Sequence, residues 1–548
     1  MKKNILLILL CFLLFSCSGI EKKVEEEVKK AIQRDYKSEL NQYFSTNYLS
    51  IVTPEIKSIK LDSFKWVHKF YKKNHRAIVW INDSIQLSEN GLRLITQLSN
   101  AKKYGLDSVF YTIRTLQNLK KELDTTQLKA NAYSAAIELE VLLTHYYMLH
   151  GKHLNYGILE VVDSVSILPR KKFNLDLPTF LYKAIQSDSV LQKLVDLQPK
   201  HIEYQNLQKG LEFFLGKTSL SKEMVKVENF RIDSLRAIKQ AKKALVLHQY
   251  LSEKDNDSLY FIALTKFQTE HGLRPDSLIG KNTAKALSIS PYNYYKQIAA
   301  NLERWRWREE WPSNYIYINI PSYKMQLYSN TKLVREHKTV VGKFKNQTPE
   351  IIDTLEYIIA YPYWNIPRKI SVKEILVKVQ KDSTYLMRNN YEVLTYTRET
   401  IDPATINWNE IDDESFRYLI RQKGGVSNAL GLVKFIFPNK YAIYMHDTPS
   451  KHLFYNEIRA YSHGCVRVYK AIDLANYILK SDNNKYTIDS IHKYIENRKE
   501  KLMLLNTKIP MYIYYFTTSA DSLGTITLYN DVYKKDEKLI TALVINGN

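Results

Sequence analysis

Between residues 61 and 251 the apolar positions recur mainly at helical spacing. One stripe follows Ser88, a candidate N-cap, and is closed by Gly105. Its members are Leu92, Ile95, Leu98 and Ala101. A longer stripe ends before Gly151 and consists of Ala135, Ala136, Leu139, Val141, Leu142, Tyr146 and Leu149. Because residues three and four apart share a helix face, both stripes predict core-facing helices of a helical scaffold domain.

Residues 252–290 predict a separate small unit of short helices. The first helix has an apolar face at Tyr260, Leu264 and Phe267 and ends at Gly272. A turn with proline and aspartate then leads into another short helix, so the unit reads as a small three-helix module.

A linking helix is predicted within residues 291–314. It runs from Ile298 to Trp307. We expect Trp305 and Trp307 to be packing anchors rather than platforms for a sugar.

From Tyr315 onward the period changes to that of strands, which predicts a mostly β domain over residues 315–530. The predicted strands are Tyr315–Ile320, Thr339–Gly342, Leu355–Tyr361, Gly431–Phe437, Tyr441–His446, Pro510–Thr518 and Gly524–Tyr529. Residues 367–424 interrupt them with a charged, helical insertion. The tail, 531–548, gives no structural signal. The fold class is therefore multidomain α+β.

Composition and charge narrow the choice of partners. The chain is 45% hydrophobic and 25% charged, as in folded proteins, and its 548 residues exceed what one core accommodates. Its net charge of +22 admits an anionic envelope or nucleic acid as partner. Acidic residues are interspersed with the basic ones and no nucleic-acid-binding module is recognisable, so we expect no specific nucleic-acid binding.

The first seventeen residues predict a targeting segment rather than a folded element. Lys2 and Lys3 precede an apolar run, and residues 14–17 (Leu-Phe-Ser-Cys) resemble a bacterial lipobox. The expected lipidation site is Cys17, followed by a charged tether over residues 18–60. The bulky Phe15 leaves an uncleaved signal anchor as the alternative. The mature chain would then keep Cys465 as its single thiol, which suits an oxidising periplasm.

Candidate chemistry centres on Cys465. A free thiol is mostly protonated at neutral pH, so a nucleophilic cysteine needs an imidazole or backbone amides beside it. His446 ends an apolar run, and Gly464 permits a tight backbone whose amides, with that of Cys465, could face an oxyanion. Apolar residues after the cysteine recur at helical spacing, which predicts that Cys465 lies in a strand-to-helix turn.

Two other interpretations of these residues are open. Cys465 could be an ordinary buried apolar side chain. Alternatively, His446, His452, His463 and Cys465 could form a zinc site, although their spacing matches no usual zinc motif.

The motif around the cysteine resembles the signature of the L,D-transpeptidases of peptidoglycan. His446 is followed after fifteen residues by Ser462, His463, Gly464 and Cys465, and then by Val466 and Arg467. The resemblance is to the large class, with a scaffold, a peptidoglycan-binding module at 252–290 and a capping insertion whose borders carry Trp364 and Asn428.

The resemblance implies roles for individual residues. Cys465 would be the nucleophile and His446 the general base, oriented by the backbone carbonyl of Asp447. The residues expected to form the oxyanion pocket and substrate site are Ser462, His463, Gly464, Arg467, Tyr444 and Trp364. No metal or organic cofactor is implied.

The implied substrate is peptidoglycan, with a stem tetrapeptide as donor and a second stem as acceptor. The same site could instead act as an L,D-carboxypeptidase or exchange the terminal D-amino acid. A non-catalytic, wall-binding lipoprotein is a further alternative. A glycan synthase or a carboxypeptidase that supplies tetrapeptides is an expected partner.

Overall fold

The computed structural model describes most of the chain. The described residues are 23–24, 26–27, 30–31, 38–42, 55–75, 77–125, 129–159, 168, 170–187, 189–255, 257–483, 485–486 and 488–545. The predicted targeting segment, Cys17 and most of the predicted tether lie outside them.

The first domain is helical, after a short hairpin of β1 (Glu55–Ile56) and β2 (Ile59–Lys60). Its helices are Phe64–Lys73 (α1), Glu89–Ser99 (α2), Ile113–Thr125 (α3), Lys129–Tyr156 (α4), Leu177–Gln186 (α5), Val190–Val195 (α6) and Ile202–Lys217 (α7). Ser88 caps α2 by accepting the N–H of Gly91 at 3.2 Å, as predicted. Gly105 is left-handed but follows a separate 3-10 turn, Ala101–Tyr104.

Helix α4 differs from its prediction because it does not end at Gly151. It continues to Tyr156. At Gly151 the helix packs so closely on its neighbours that an added Cβ atom would lie 3.1–3.2 Å from side chains of Leu177, Leu194 and Leu197. The glycine therefore serves close packing and not helix termination.

Three helices form the small module. They are Ser234–Leu247 (α8), Asp257–Glu270 (α9) and Lys281–Leu287 (α10), and they share one apolar core. Buried Gln268 organises the turn before α10, because its side-chain amide donates to Asp276 and to the carbonyl of Leu278 and its oxygen accepts the N–H of Ser277. The packing of α8 against α9 and α10 extends this unit to the N-terminal side of residue 252.

The linking helix, Pro291–Arg306 (α11), is buried between the helical and β domains. Trp305 and Trp307 are 3% and 1% exposed, which agrees with their expected packing role. The C-terminal tail, which gave no sequence signal, forms the helix Asp536–Ile545 (α17). It docks on α11 through a buried ion pair of 2.6 Å between Arg304 and Asp536.

The main sheet of the β domain closes on itself. Its strands are Tyr315–Asn319 (β3), Lys324–Ser329 (β4), Lys332–Gly342 (β5), Ile351–Ala360 (β6), Val433–Ile436 (β11), Met445–His446 (β12), Ala460–Ser462 (β13), Val466–Val468 (β14) and Lys501–Tyr514 (β15). The order β5-β14-β12-β11-β6-β15-β3-β4 returns to β5, and β13 adds in parallel to the end of β5. Helices Ala471–Ser481 (α15) and Ile488–Glu496 (α16) follow β14. The short hairpin Thr518–Ala520 (β16) and Ile526–Leu528 (β17) comes later.

Only the end of the predicted strand at residues 441–446 is a strand. The side chain of Asn439 bonds the N–H groups of Tyr441 and Ile443 and the carbonyl of Ile443, and Ala442 has φ +53°. This loop leaves Met445 and His446 as the paired residues.

The insertion contains a sheet in addition to the predicted helices. Its strands are Trp364–Asn365 (β7), Tyr391–Leu394 (β8), Thr400–Ile401 (β9) and Leu419–Gln422 (β10), in the order β7-β10-β8-β9. Its helices are Arg368–Ile370 (α12), Val377–Lys381 (α13) and Tyr385–Arg388 (α14), with a π-helical segment, Ser371–Leu376, between the first two. The subdomain has its own apolar core.

The multidomain α+β fold class predicted from the sequence is confirmed. None of the helices in the described part of the chain combines the length and apolar character that crossing a membrane requires.

Candidate active site

Parallel pairing of two short strands brings His446 and Cys465 to the same edge of the barrel. In the register of β12 and β14, Met445 lies opposite Val466 and His446 opposite Arg467. Cys465 immediately precedes β14, and the N–H of Val466 donates to the carbonyl of Tyr444 at 3.1 Å. The predicted strand-to-helix turn is therefore wrong. Cys465 ends a turn between two strands, and α15 begins only at Ala471.

The imidazole of His446 is oriented by the next residue. Its Nδ1 lies 2.5 Å from the carbonyl oxygen of Asp447, which can only accept, so Nδ1 carries the proton and Nε2 is left as the base. The Asp447 carboxylate accepts the N–H of Leu432 and pairs with Lys451. Burial, followed by the charge of Arg467, lowers the pKa of His446 to about 3. The imidazole is therefore neutral at physiological pH.

Cys465 is half-buried and its sulfur meets Tyr444. Burial raises the pKa of the Cys465 thiol, and hydrogen bonds from the Tyr444 backbone and hydroxyl together with the charge of Lys434 oppose that rise. The Tyr444 hydroxyl also meets the side chain of Trp364 at the border of the insertion. None of the described hydrogen bonds joins the sulfur to His446. Catalytic hydrogen bonds are often long before substrate binds.

A network of buried hydroxyls fixes the turn of residues 462–465. Ser462 Oγ donates to the carbonyl of Cys465 at 2.5 Å and accepts the N–H of Gly464 at 3.1 Å. Thr348 Oγ1 donates to the carbonyl of Gly464 at 2.7 Å and accepts the N–H of Gly342 at 2.9 Å. Gly464 has φ +124°, a conformation that glycine alone adopts readily.

This network changes the expected pair of oxyanion donors. Because the Gly464 N–H already donates to Ser462, it is not free for a substrate oxygen in this structure. The amide of Cys465 takes part in none of the hydrogen bonds among the described residues. Of the two amides expected from the sequence, only that of Cys465 therefore lacks a partner among the described residues.

Arg467 and His463 stand on either side of the cysteine in sequence. Arg467 is half-buried, and its Nε has no hydrogen-bond partner in the described part of the chain. His463 is exposed, and its Nε2 lies 2.7 Å from a carboxylate oxygen of Glu374 in the insertion. Of the sequence-predicted site residues, Ser462, Gly464, Arg467, Tyr444 and Trp364 thus gather around Cys465, whereas His463 turns toward the insertion.

Lys434 and Glu374 were not predicted. The Lys434 ammonium lies 3.8 Å from the centroid of the Tyr444 ring, and Lys434 is directly opposite His446 in the pairing of β11 and β12. A lone cation inside the apolar run of residues 433–436 is the sequence signal that could have found it. Glu374 carries no such signal because its contact with His463 depends on how the insertion folds.

The zinc alternative gains no support from the geometry. Within the described ranges, no group of three or more histidine, cysteine, aspartate or glutamate side chains is arranged to hold a metal ion. His452, one member of the proposed set, is exposed in a 3-10 turn, Lys451–Tyr455.

Two domain families match this chain. Residues 313–489 match the L,D-transpeptidase catalytic domain, and residues 65–211 match the Scaffold domain. Residues 313–489 are therefore similar to the catalytic domain of L,D-transpeptidases. This range contains His446, Cys465 and the whole insertion.

A similar protein from Haemophilus influenzae is named "Putative L,D-transpeptidase". It is 34% identical over 247 residues, which cover 45% of this chain. The chain spans about half the length of this relative, 49%. The catalytic domain thus agrees with the resemblance seen in the motif at residues 446–467.

Proposed function

We propose that this protein is a periplasmic, lipid-anchored L,D-transpeptidase that crosslinks peptidoglycan between third stem residues. The observation that carries the proposal is the placement of Cys465 beside the strand that bears the neutral imidazole of His446, within residues that match the L,D-transpeptidase catalytic domain. The lipid anchor rests on the sequence around Cys17 alone.

The first step forms a thioester. His446 Nε2 takes the proton of the Cys465 thiol, and the sulfur attacks the carbonyl between the third and fourth residues of a stem tetrapeptide. The Cys465 amide donates to the oxyanion, a contact of a kind that contributes on the order of 3 kcal/mol in other acyl transfers. The C–N bond then breaks, and His446 returns its proton to the amine of the departing D-amino acid.

The second step transfers the acyl group to an acceptor. An amine from the third residue of a neighbouring stem attacks the thioester and loses its proton to His446. The C–S bond breaks, the proton passes to the thiolate, and the free enzyme is restored. Arg467 is half-buried close to the cysteine, and we propose that the guanidinium binds a carboxylate of the stem.

Intact mass spectrometry of the chain from residue 18 onward tests this function. We expect a carbapenem to add to Cys465, and a purified disaccharide tetrapeptide to yield a dimer of two stems less one D-alanine. The Cys465→Ala variant should fold normally and give neither product. Crosslinking retained by that variant would refute the assignment.

Two other outcomes of this experiment would assign a different activity to the same site. A carbapenem adduct with only tripeptide product indicates an L,D-carboxypeptidase. Release and replacement of the terminal residue indicates exchange. If folded protein forms no adduct, a non-catalytic wall-binding protein becomes the better account.

The module of α8, α9 and α10 is proposed to hold the enzyme on peptidoglycan. Its support is an apolar core of its own and the resemblance of residues 252–290 to a peptidoglycan-binding module. Isolated sacculi should retain the Cys465→Ala variant as well as the wild type, because binding and chemistry lie in different domains. Loss of retention on mutation of Cys465 would place binding in the active site instead.

A further inference from the structure

Lys434 is a charged residue in an otherwise apolar strand. Its neighbours Val433 and Phe435 are fully buried, so β11 turns alternate side chains to the barrel core. Lys434 points the other way, opposite His446 of β12. Directly opposed residues of an antiparallel pair lie on the same face of the sheet. The cation therefore shares its face with the catalytic imidazole.

Tyr444 connects this cation to the cysteine. The Lys434 ammonium lies 3.8 Å from the centroid of the Tyr444 ring, a cation–π distance. The Tyr444 hydroxyl and backbone also form hydrogen bonds with the Cys465 sulfur. The rings of Tyr444 and His446 are 5.7 Å apart. A cation, a phenol and a thiol thus form a continuous chain of contacts.

Lys434 acts within a set of other charges. Arg467 of β14 is the second cation that acts on Cys465, and Glu500, which precedes β15, faces Lys434. Lys451 pairs with Asp447 behind His446. On the insertion side, Glu374 meets His463. The Glu500 carboxylate accepts the N–H of Tyr363 at 2.9 Å, and none of the ion pairs in the described part of the chain joins it directly to Lys434.

We propose that Lys434 is a positioning residue of the acyl transfer, which holds Tyr444 against Cys465 and stabilises negative charge on the sulfur. The role in acyl transfer rests on the proposed function, whereas the effect of Lys434 on the Cys465 thiol does not. Burial lowers the pKa of Lys434, and the nearby Cys465 opposes that decrease. Conversely, the Lys434 ammonium acts to lower the pKa of the Cys465 thiol. Lys434 lies outside the residues of the motif at 446 and 462–467.

The test is the pH dependence of Cys465 alkylation by iodoacetamide in the full chain, followed by mass spectrometry of the tryptic peptide that contains Cys465. In Lys434→Met the loss of the cation raises the pKa of both Cys465 and His446, so the profile moves to higher pH. We expect a displacement of about one pH unit, equivalent to about a tenfold lower rate on the rising limb. Lys434→Arg keeps the charge and should keep most of the rate.

Lys440→Met is the matched control. Lys440 also lies over a tyrosine, 5.2 Å from the ring centroid of Tyr441, but it is exposed and belongs to the loop between β11 and β12. Its profile should overlay that of the wild type. If Lys434→Met does not fold, Lys434→Gln provides the same loss of charge with a polar side chain.

Two results would overturn the inference. One is a Lys434→Met profile that overlays the wild type. The other is an equal displacement in Lys434→Met and Lys434→Arg, which would assign the effect to packing rather than charge. Alkylation needs no peptidoglycan, so the two proposals fail separately. A displaced profile in a protein that forms no crosslinked product would reject the transpeptidase and leave the effect on the thiol intact.

Discussion

The Nε2 atom of His463 lies 2.7 Å from a carboxylate oxygen of Glu374, and this contact joins the turn beside Cys465 to the capping insertion. Glu374 belongs to the π-helical segment Ser371–Leu376, and π-helical segments are frequent at functional sites. Trp364, at the base of the same subdomain, meets Tyr444. The insertion therefore touches the site at two points, which supports a proposed role as a lid that excludes water from the thioester.

Breaking the Glu374 contact should favour hydrolysis over crosslinking. Exposed pairs of this kind contribute about 0.2–1 kcal/mol, so Glu374→Ala is expected to raise the ratio of tripeptide to dimer by up to about fivefold. Quantitative liquid chromatography with mass spectrometry measures both products. Glu356→Ala, which breaks an exposed ion pair with Lys508 on the barrel, serves as the control.

Deletion of residues 370–420 should raise that ratio further if the variant remains folded. An unchanged ratio in a folded deletion variant would reject the lid, and an unchanged ratio in Glu374→Ala alone would show that Trp364 or the wider subdomain holds the lid in place.

Much of the catalytic domain could be predicted because its strands carry strong local signals. The runs at Tyr315–Ile320 and Gly431–Phe437 are apolar and bounded by turn residues, and the structure contains strands within both. The motif around Cys465 is likewise local in sequence. Its placement beside His446, however, depends on the parallel pairing of β12 with β14, which no local pattern encodes.

Other features arise from tertiary contacts and escaped prediction for that reason. Helix α17 has no strong pattern of its own and is held by the buried pair of Asp536 with Arg304. The loop at residues 439–444 looks like a strand in its apolar content, but the side chain of Asn439 captures its backbone. The Lys434–Tyr444 contact likewise needs the barrel to bring β11 beside β12.

Thr348 should matter to catalysis although it lies outside the motif. Thr348→Val removes the hydroxyl that bridges the N–H of Gly342 and the carbonyl of Gly464 while preserving shape. A buried group left without its partner costs about 1–3 kcal/mol, so we expect a lower melting temperature and about a tenfold slower acylation by a carbapenem.

Thr339→Val is the matched control for this prediction. Thr339 is also fully buried in the same barrel, but its hydroxyl has no partner among the described residues. Its replacement by a methyl group should be neutral or stabilising. Equal effects of the two substitutions on acylation would contradict a specific role for Thr348.

Glu140 should be critical for the helical domain. Its buried carboxylate accepts the N–H groups of Val79, Trp80 and Ile81 at 2.7–3.1 Å and the hydroxyl of Tyr71. Glu140→Gln substitutes an amide NH2 for one acceptor and should cost about 3 kcal/mol of unfolding free energy. Tyr71→Phe removes one donor and should cost about 1 kcal/mol. Urea denaturation measures both, and a Glu140→Gln variant as stable as the wild type would contradict the assignment.

Stability should decrease in mild acid because several histidines are buried as neutral imidazoles. Their pKa values are lowered by burial to about 3 or 4 at His145, His150, His201, His248, His271 and His446. In the unfolded chain an imidazole titrates near about 6.5. Between that value and the folded pKa the unfolded state binds more protons, so the free energy of unfolding falls as the pH falls through this window.

Five carboxyls in the described part of the chain oppose this trend, because burial raises their pKa values: Glu138, Glu140, Glu203, Asp353 and Asp536. Burial raises the pKa of Glu140 and Glu203 to about 7, so the folded state binds more protons than the unfolded state from there down to the ordinary value of 4.5. Since the histidines outnumber them, we expect the melting temperature to be lower at pH 5 than at pH 7.5. His248→Gln should reduce the difference, because it removes one group that the unfolded state protonates. Differential scanning calorimetry measures both, and a melting temperature that rises toward pH 5 would show that the carboxyls dominate.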